Sequence, residues 1–152
     1  MCIRDSAKGM RHIGDIVVQY QLNKMIKVGL NLVYGSQKDC DVGGNVACLA
    51  KSWGGAAGYL SITPMDGFTL SYRADYFDDR QGARGLNQNG AALGTQVLGH
   101  TITGNISMYG GHFLIRPEVK YDMDMSKRGM FYNSFEAKDA NLTALIAFTG
   151  VY

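Results

Sequence analysis

The sequence predicts an all-β fold: an antiparallel, up-and-down transmembrane β-barrel, incomplete, with about seven strands of a larger barrel. Three observations carry that expectation. Apolar and polar residues alternate through segment after segment, the period-two mark of a strand with two unlike faces. The connections between segments are by turns tight and long. Aromatic rings gather toward segment ends.

Taken in order, the first segment, 15 to 22, sets Ile16, Val18, Tyr20 and Leu22 against Asp15, Val17, Gln19 and Gln21. The second, 25 to 35, opposes Ile26, Val28, Leu30, Leu32 and Tyr34 to Lys27, Gly29, Asn31, Val33 and Gly35. The third, 53 to 63, is rich in Gly and Ala and alternates less clearly. In the fourth, 68 to 76, Phe68, Leu70, Tyr72, Ala74 and Tyr76 oppose Thr69, Ser71, Arg73 and Asp75. The fifth, 97 to 109, carries Thr101, Thr103, Asn105 and Ser107 on one side and Ile102, Ile106 and Met108 on the other. The sixth, FLIRPEVKYD at 113 to 122, alternates without a slip: Phe113, Ile115, Pro117, Val119 and Tyr121 against Arg116, Glu118, Lys120 and Asp122. The seventh, 142 to 152, groups Leu142, Ala144, Ile146, Phe148 and Tyr152. Pro117 is awkward in mid-strand, because it removes a ladder hydrogen bond; a bulge there would relieve it.

The connections at 23–24, 65–67 and 110–111 are short and hold Asn or Gly, which supply the positive φ of tight hairpin turns. Loops at roughly 38–52, 81–94 and 127–140 are long and polar. Outer-membrane barrels sort their connections this way, short at one rim and long at the other, whereas a soluble sandwich has no reason to. A strand tilted by about 40° crosses an apolar band of about 25 Å in about ten residues, which these segments match. Tyr20, Tyr34, Phe68, Tyr76, Tyr109, Phe113, Tyr121 and Tyr152 are then expected near the two interfaces. A soluble ligand-binding β-barrel would show the same alternation with the faces inverted, the apolar side packed inward.

Composition narrows the function classes. The net charge is +2 and no basic cluster appears, so nucleic acid is not an expected partner. Twenty glycines and two prolines in 152 residues favour a turn-rich β architecture. No apolar run is long enough for a membrane helix. The opening MCIRDS, residues 1 to 6, resembles a translated sequencing-adapter artefact and has no signal-peptide character; residues 1–9 read as a non-native leader, leaving 10–152 as the C-terminal part of one barrel domain. An ordinary disordered N-terminus is the alternative.

On the membrane reading, eight charged residues are expected to line a wet lumen: Asp15, Lys27, Arg73, Asp75, Arg116, Glu118, Lys120 and Asp122. Such groups bias which ions enter a pore, or else merely solvate it and pair across neighbouring strands. Four of each sign predict no net preference, with Arg73, Arg116 and Lys120 the best candidates for an inner basic patch. Cys40 and Cys48 stand seven residues apart in CDVGGNVAC. A disulfide closing that loop would contribute at most about 2.5 kcal/mol by chain entropy, and two unpaired thiols or a metal pair remain open. DDR at 78–80 and YDMDM at 121–125 bring carboxylates together, as a solvated rim or a weak cation site. His12, His100 and His112 lie on separate segments and no G-x-S-x-G is present, so neither catalytic residues, nor a resident metal, nor a cofactor is expected.

YRADYFDDRQGARG at 72–85 and FLIRPEVKYD at 113–122, with a C-terminal strand ending on an aromatic residue, resemble the OmpL-like family of β-barrel porins of Gram-negative outer membranes. The resemblance runs from about residue 10 to the end and is to the family's C-terminal part. It implies a channel for passive diffusion of small hydrophilic solutes, embedded among outer-membrane lipid and lipopolysaccharide, in which no enzyme chemistry is expected. The strand ending at Tyr152 also looks like the signal read by the barrel-assembly machinery. A non-conducting anchor or adhesion barrel is the second reading, and a homo-oligomer is allowed. Bacterial single-chain barrels have an even strand number of at least eight, so seven strands imply a fragment.

Overall fold

The computed structural model describes residues 8–39, 49–83, 94–127, 130–133 and 136–150. Seven long strands form one antiparallel sheet: β1 (Lys8–Gln21), β2 (Ile26–Asp39), β3 (Leu49–Met65), β4 (Phe68–Asp79), β5 (Thr95–Met108), β6 (Phe113–Asp124) and β9 (Ala140–Gly150). Each pairs with its neighbour in chain order, so the topology is a plain meander, and the sheet is not closed into a barrel. The expected strand number and sense are found. One difference lies in the loop expected at 127–140, which holds a small hairpin, β7 (Phe131–Asn133) against β8 (Glu136–Lys138). Strands of three residues are too short for alternation to reveal. β1 begins at Lys8, inside the segment set apart as a leader.

All three tight turns lie at one end of the sheet. At the first, Asn23 Oδ1 accepts from the backbone N–H groups of Met25 and Ile26 at 2.8 and 2.9 Å, an Asx-type closure. The second turns on Gly67 at φ 81°, and the third passes through Tyr109, Gly110 and Gly111, all at positive φ. Successive hairpins are staggered. The first residue of β2, Ile26, pairs with Ile62 while β3 runs on to Met65; the first residue of β4, Phe68, pairs with Ile106 while β5 runs on to Met108. A stagger that accumulates in one direction is the shear that tilts strands in a barrel wall.

Apart from register shifts at Lys8/Arg11 and Ile62/Met65, register places each expected face on one side of the sheet. Ile16, Leu32, Ala56, Tyr76, Leu98 and Met123 form one continuous cross-strand row, and Tyr20, Val28, Leu60, Tyr72, Ile102, Val119 and Ala144 another. From Leu98 to Met108 on β5 the apolar side spans ten residue steps, about 33 Å along the strand and about 25 Å of height at a 40° tilt. Ile102 is 53% exposed and Val119 48%. The polar side is covered instead: Asp79 is 0% exposed and Asp124 1%, with Thr101, Asp122 and Ala57 also buried. A flat sheet would expose both faces alike, so the sheet curves with its polar face concave. Among the described residues the buried apolar side chains are only Trp53, Ala57 and Ala83, and no second layer covers the apolar face. Apolar groups also stand on the polar side, Ile13 and Val17 on β1, Val33, Trp53, Phe77 and Val97 on inner strands and Leu145 on β9.

Two polar side chains on the apolar face satisfy each other: the Tyr72 hydroxyl and His100 Nδ1 are 2.7 Å apart with their rings stacked. Pro117 needs no bulge, contrary to the expectation. The β5–β6 register is the same at Thr103↔Glu118 and at Ile106↔Ile115, and only the intervening pairs drop out of the ladder. The proline ring is accommodated because Gly104 lies opposite, where an added Cβ would meet Pro117 Cγ at 3.3 Å. A second fit of this kind sits on the concave face. Trp53 lies flat across Gly35, where a Cβ would come within 2.3 Å of the indole, and packs on Phe77 at 6.1 Å.

Seven antiparallel strands leave both edges running the same way. β1 and β9 could therefore join only as a parallel pair, and an antiparallel seam needs an odd number of further strands between them.

Two outcomes follow. Val119→Arg should lower the free energy of unfolding in phospholipid vesicles by about 2–4 kcal/mol, while Asn141→Arg on the opposite face costs less than about 1 kcal/mol, both read by urea titration. Gly35→Ala should displace the only tryptophan, shifting Trp53 emission to the red and costing about 1–3 kcal/mol by overpacking.

Candidate functional site: the charged concave face

The register puts all eight charged residues singled out in the sequence on the concave polar face. Asp15 shares a row with Val33, Gly55, Phe77, Val97 and Asp124. Lys27 lies in the row of Ser61, Ser71, Thr103 and Glu118; Arg73 in that of Tyr59, Thr101 and Lys120; Asp75 in that of Ala57, Gly99 and Asp122. Arg116 is one row further toward the turns. Adjacent rows are two residues apart, about 6.7 Å along the strand.

Strands β4 and β6 repeat the same device. Arg73 Nε stands 3.0 Å from Asp75 Oδ1, and Lys120 Nζ 2.8 Å from Asp122 Oδ2. Each pair joins residues i and i+2 of one strand, which point to the same side. The charges therefore pair along strands, where cross-strand pairing was expected, because the rows bring like charges side by side: Arg73 with Lys120, and Asp75 with Asp122. Strand β5 separates the two pairs with Thr101 and Gly99. Arg73 also lies over the Tyr59 ring at 5.6 Å, a cation–π contact.

The members of each pair differ in exposure. The side chains of Arg73 and Lys120 are 47% and 41% exposed, those of Asp75 and Asp122 only 20% and 11%. The cations stand up from the face and the carboxylates lie down on it.

Three of the other four make neutral contacts. Arg116 Nε donates to Asn105 Oδ1 at 2.9 Å, Thr103 Oγ1 donates to Glu118 Oε2 at 2.9 Å, and Asn31 Nδ2 donates to Asp15 Oδ1 at 2.9 Å. Lys27 has no carboxylate partner among the described residues. The basic patch expected from Arg73, Arg116 and Lys120 is thus one row of two paired cations with Arg116 standing apart.

At the long-loop end, buried carboxylates hold backbone. Asp79 Oδ1 accepts from the Ala83 N–H at 2.7 Å. Asp124 Oδ1 accepts from the Ser126 N–H at 2.9 Å and from its hydroxyl, and Asp124 Oδ2 from the Met130 N–H at 3.3 Å. Gln37 bridges the same region, accepting from Arg11 Nε at 2.9 Å and donating to the Ala83 carbonyl at 2.9 Å. Asp78 pairs with Arg80 at 2.8 Å. Among the described residues no group of three or more His, Cys, Asp or Glu is arranged to hold a metal ion. The acidic clusters in DDR and YDMDM therefore anchor loop entrances, a role that spacing alone could not reveal. Cys40, Cys48 and Tyr152 lie outside the described residues.

The arrangement is a curved sheet with a charged, concave side and an apolar, convex side. No curated protein and no solved structure matches the chain. The family described as "Putative beta-barrel porin-2, OmpL-like" matches residues 3–150, almost the whole length. The chain belongs to that OmpL-like β-barrel porin family.

Proposed function

We propose that the chain forms part of the wall of an outer-membrane channel of porin type, through which small hydrophilic solutes diffuse passively. The observation that carries this reading is the inversion of the sheet: its polar face is concave and partly buried, while the apolar face, with Ile102, Val119, Ile146 and Phe148 exposed, has no layer over it among the described residues. A soluble barrel would need those side chains in a core. Hydrocarbon covers them on the proposed reading, and the charged face meets water.

The rims fit the same orientation. The tight turns face the periplasm and the long loops the exterior, where lipopolysaccharide is the neighbour. β9 ends at the turn rim with Ile146 and Phe148 on its apolar side, the presentation a C-terminal strand would offer to the barrel-assembly machinery. Strands beyond these seven complete the barrel, because a sheet edge left open in lipid exposes unpaired backbone groups. No step of this function requires catalytic chemistry or a cofactor. A homo-oligomer is compatible with it.

Planar-bilayer recording of the full-length protein tests the reading. Discrete, ohmic conductance steps are expected; incorporation without steps would leave a barrel that anchors and does not conduct.

A further inference from the structure

Gly99 is the point where the two charge pairs meet. A Cβ at this position would come within 2.9 Å of Asp75 Oδ2 and 3.0 Å of Asp122 Oδ1. Both carboxylates therefore lean over the same glycine from the strands on either side, within 6 Å of each other. Any other residue would occupy the floor on which they lie. Each carboxylate keeps its cation within 3.0 Å, so Arg73 and Lys120 are held as two adjacent dipoles with their positive ends raised.

We infer that Gly99 is a selectivity-determining position, and that the raised Arg73 and Lys120 make this part of the wall a transit site for small anions, inorganic or carboxylate. The inference rests on the porin reading. Counted by residue, the eight charges balance; counted by what a passing ion can touch, they do not. An anion meets a guanidinium or an ammonium directly. A cation meets carboxylates that are only 20% and 11% exposed and already hold a cation each. Screening over about 8 Å at physiological salt makes contact distance decisive, and these opposite charges differ in exposure more than twofold. Lumen charges are the usual means by which barrels tune ion preference.

Gly99→Ala separates this account from simple charge counting, because it changes no charge. The clash is with the ends of two side chains, which can rotate away, so the strand tolerates it. The carboxylates are then lifted into the lumen. The experiment is the reversal potential of the full-length channel in a planar bilayer under a KCl gradient. Wild type should favour chloride. Gly99→Ala should lower the chloride-to-potassium permeability ratio about threefold or more, Arg73→Gln with Lys120→Gln should lower it further, and Asp75→Asn with Asp122→Asn should raise it. Gly58→Ala, on the apolar face with nothing within 4 Å of the added carbon, should leave it unchanged. Conductance with the same reversal potential in Gly99→Ala and wild type overturns this inference alone. A wild-type protein without conductance overturns the pore reading and this inference together.

Discussion

Burial of the apolar side of a single curved sheet is the constraint from which the rest follows. Hydrogen bonding between strands satisfies most of the backbone of the inner strands but does nothing for the side chains that project from it. Here one projection is a field of Ile, Leu, Val, Tyr and Phe crossing all seven strands, and nothing in the described chain lies against it. The largest exposed apolar patch on an ordinary soluble monomer is roughly 300–600 Å², whereas this field runs across the whole width of the sheet. A core made by a second layer would remove it from water. Hydrocarbon does the same without one, and the ten-step span of β5 suits the thickness of that medium at the strand tilt usual in such barrels.

The concave face obeys the complementary rule. Curvature brings its side chains together, so bulk and charge must be arranged. Gly35 admits the Trp53 ring, and Gly99 admits two carboxylates. Like charges that register forces side by side are each neutralised within their own strand. Buried acids at the loop rim spend their hydrogen-bonding capacity on turns, fixing where β4 and β6 end. On the apolar side polar groups likewise satisfy each other, Tyr72 with His100 and Gln96 with the Tyr76 hydroxyl. Stability and the proposed permeability thus draw on one feature, the difference between the two faces.

Much of this was legible in the sequence. FLIRPEVKYD declares its two faces by alternation alone, and Asn23, Gly67 and Gly110 mark the turns, because both signals are local. The eight charged residues fall on one face because period two fixes the side once a strand is recognised. What stayed hidden depends on which residue lies opposite which. Gly104 facing Pro117, Gly35 under Trp53 and Gly99 between two aspartates are properties of register, and no single strand contains them. The i, i+2 pairs were open to view in RAD and KYD, yet the preference for pairing along a strand emerges only when the neighbouring rows prove to be alike in sign. The β7–β8 hairpin escaped because three-residue strands carry too few positions to show a period.

The central claim concerns which side of the wall is wet, and site-directed spin labelling tests it most directly. Nitroxides placed one at a time from Leu114 to Asp122, in the full-length protein reconstituted in lipid, report collision with oxygen, which concentrates in hydrocarbon, and with a water-soluble nickel complex. The account predicts both accessibilities oscillating with period two and out of phase, oxygen peaking at Ile115, Pro117, Val119 and Tyr121 and nickel at Arg116, Glu118, Lys120 and Asp122. Nickel peaks on the apolar set, or low values of both reagents there, would contradict it, for those side chains would then face water or a protein core.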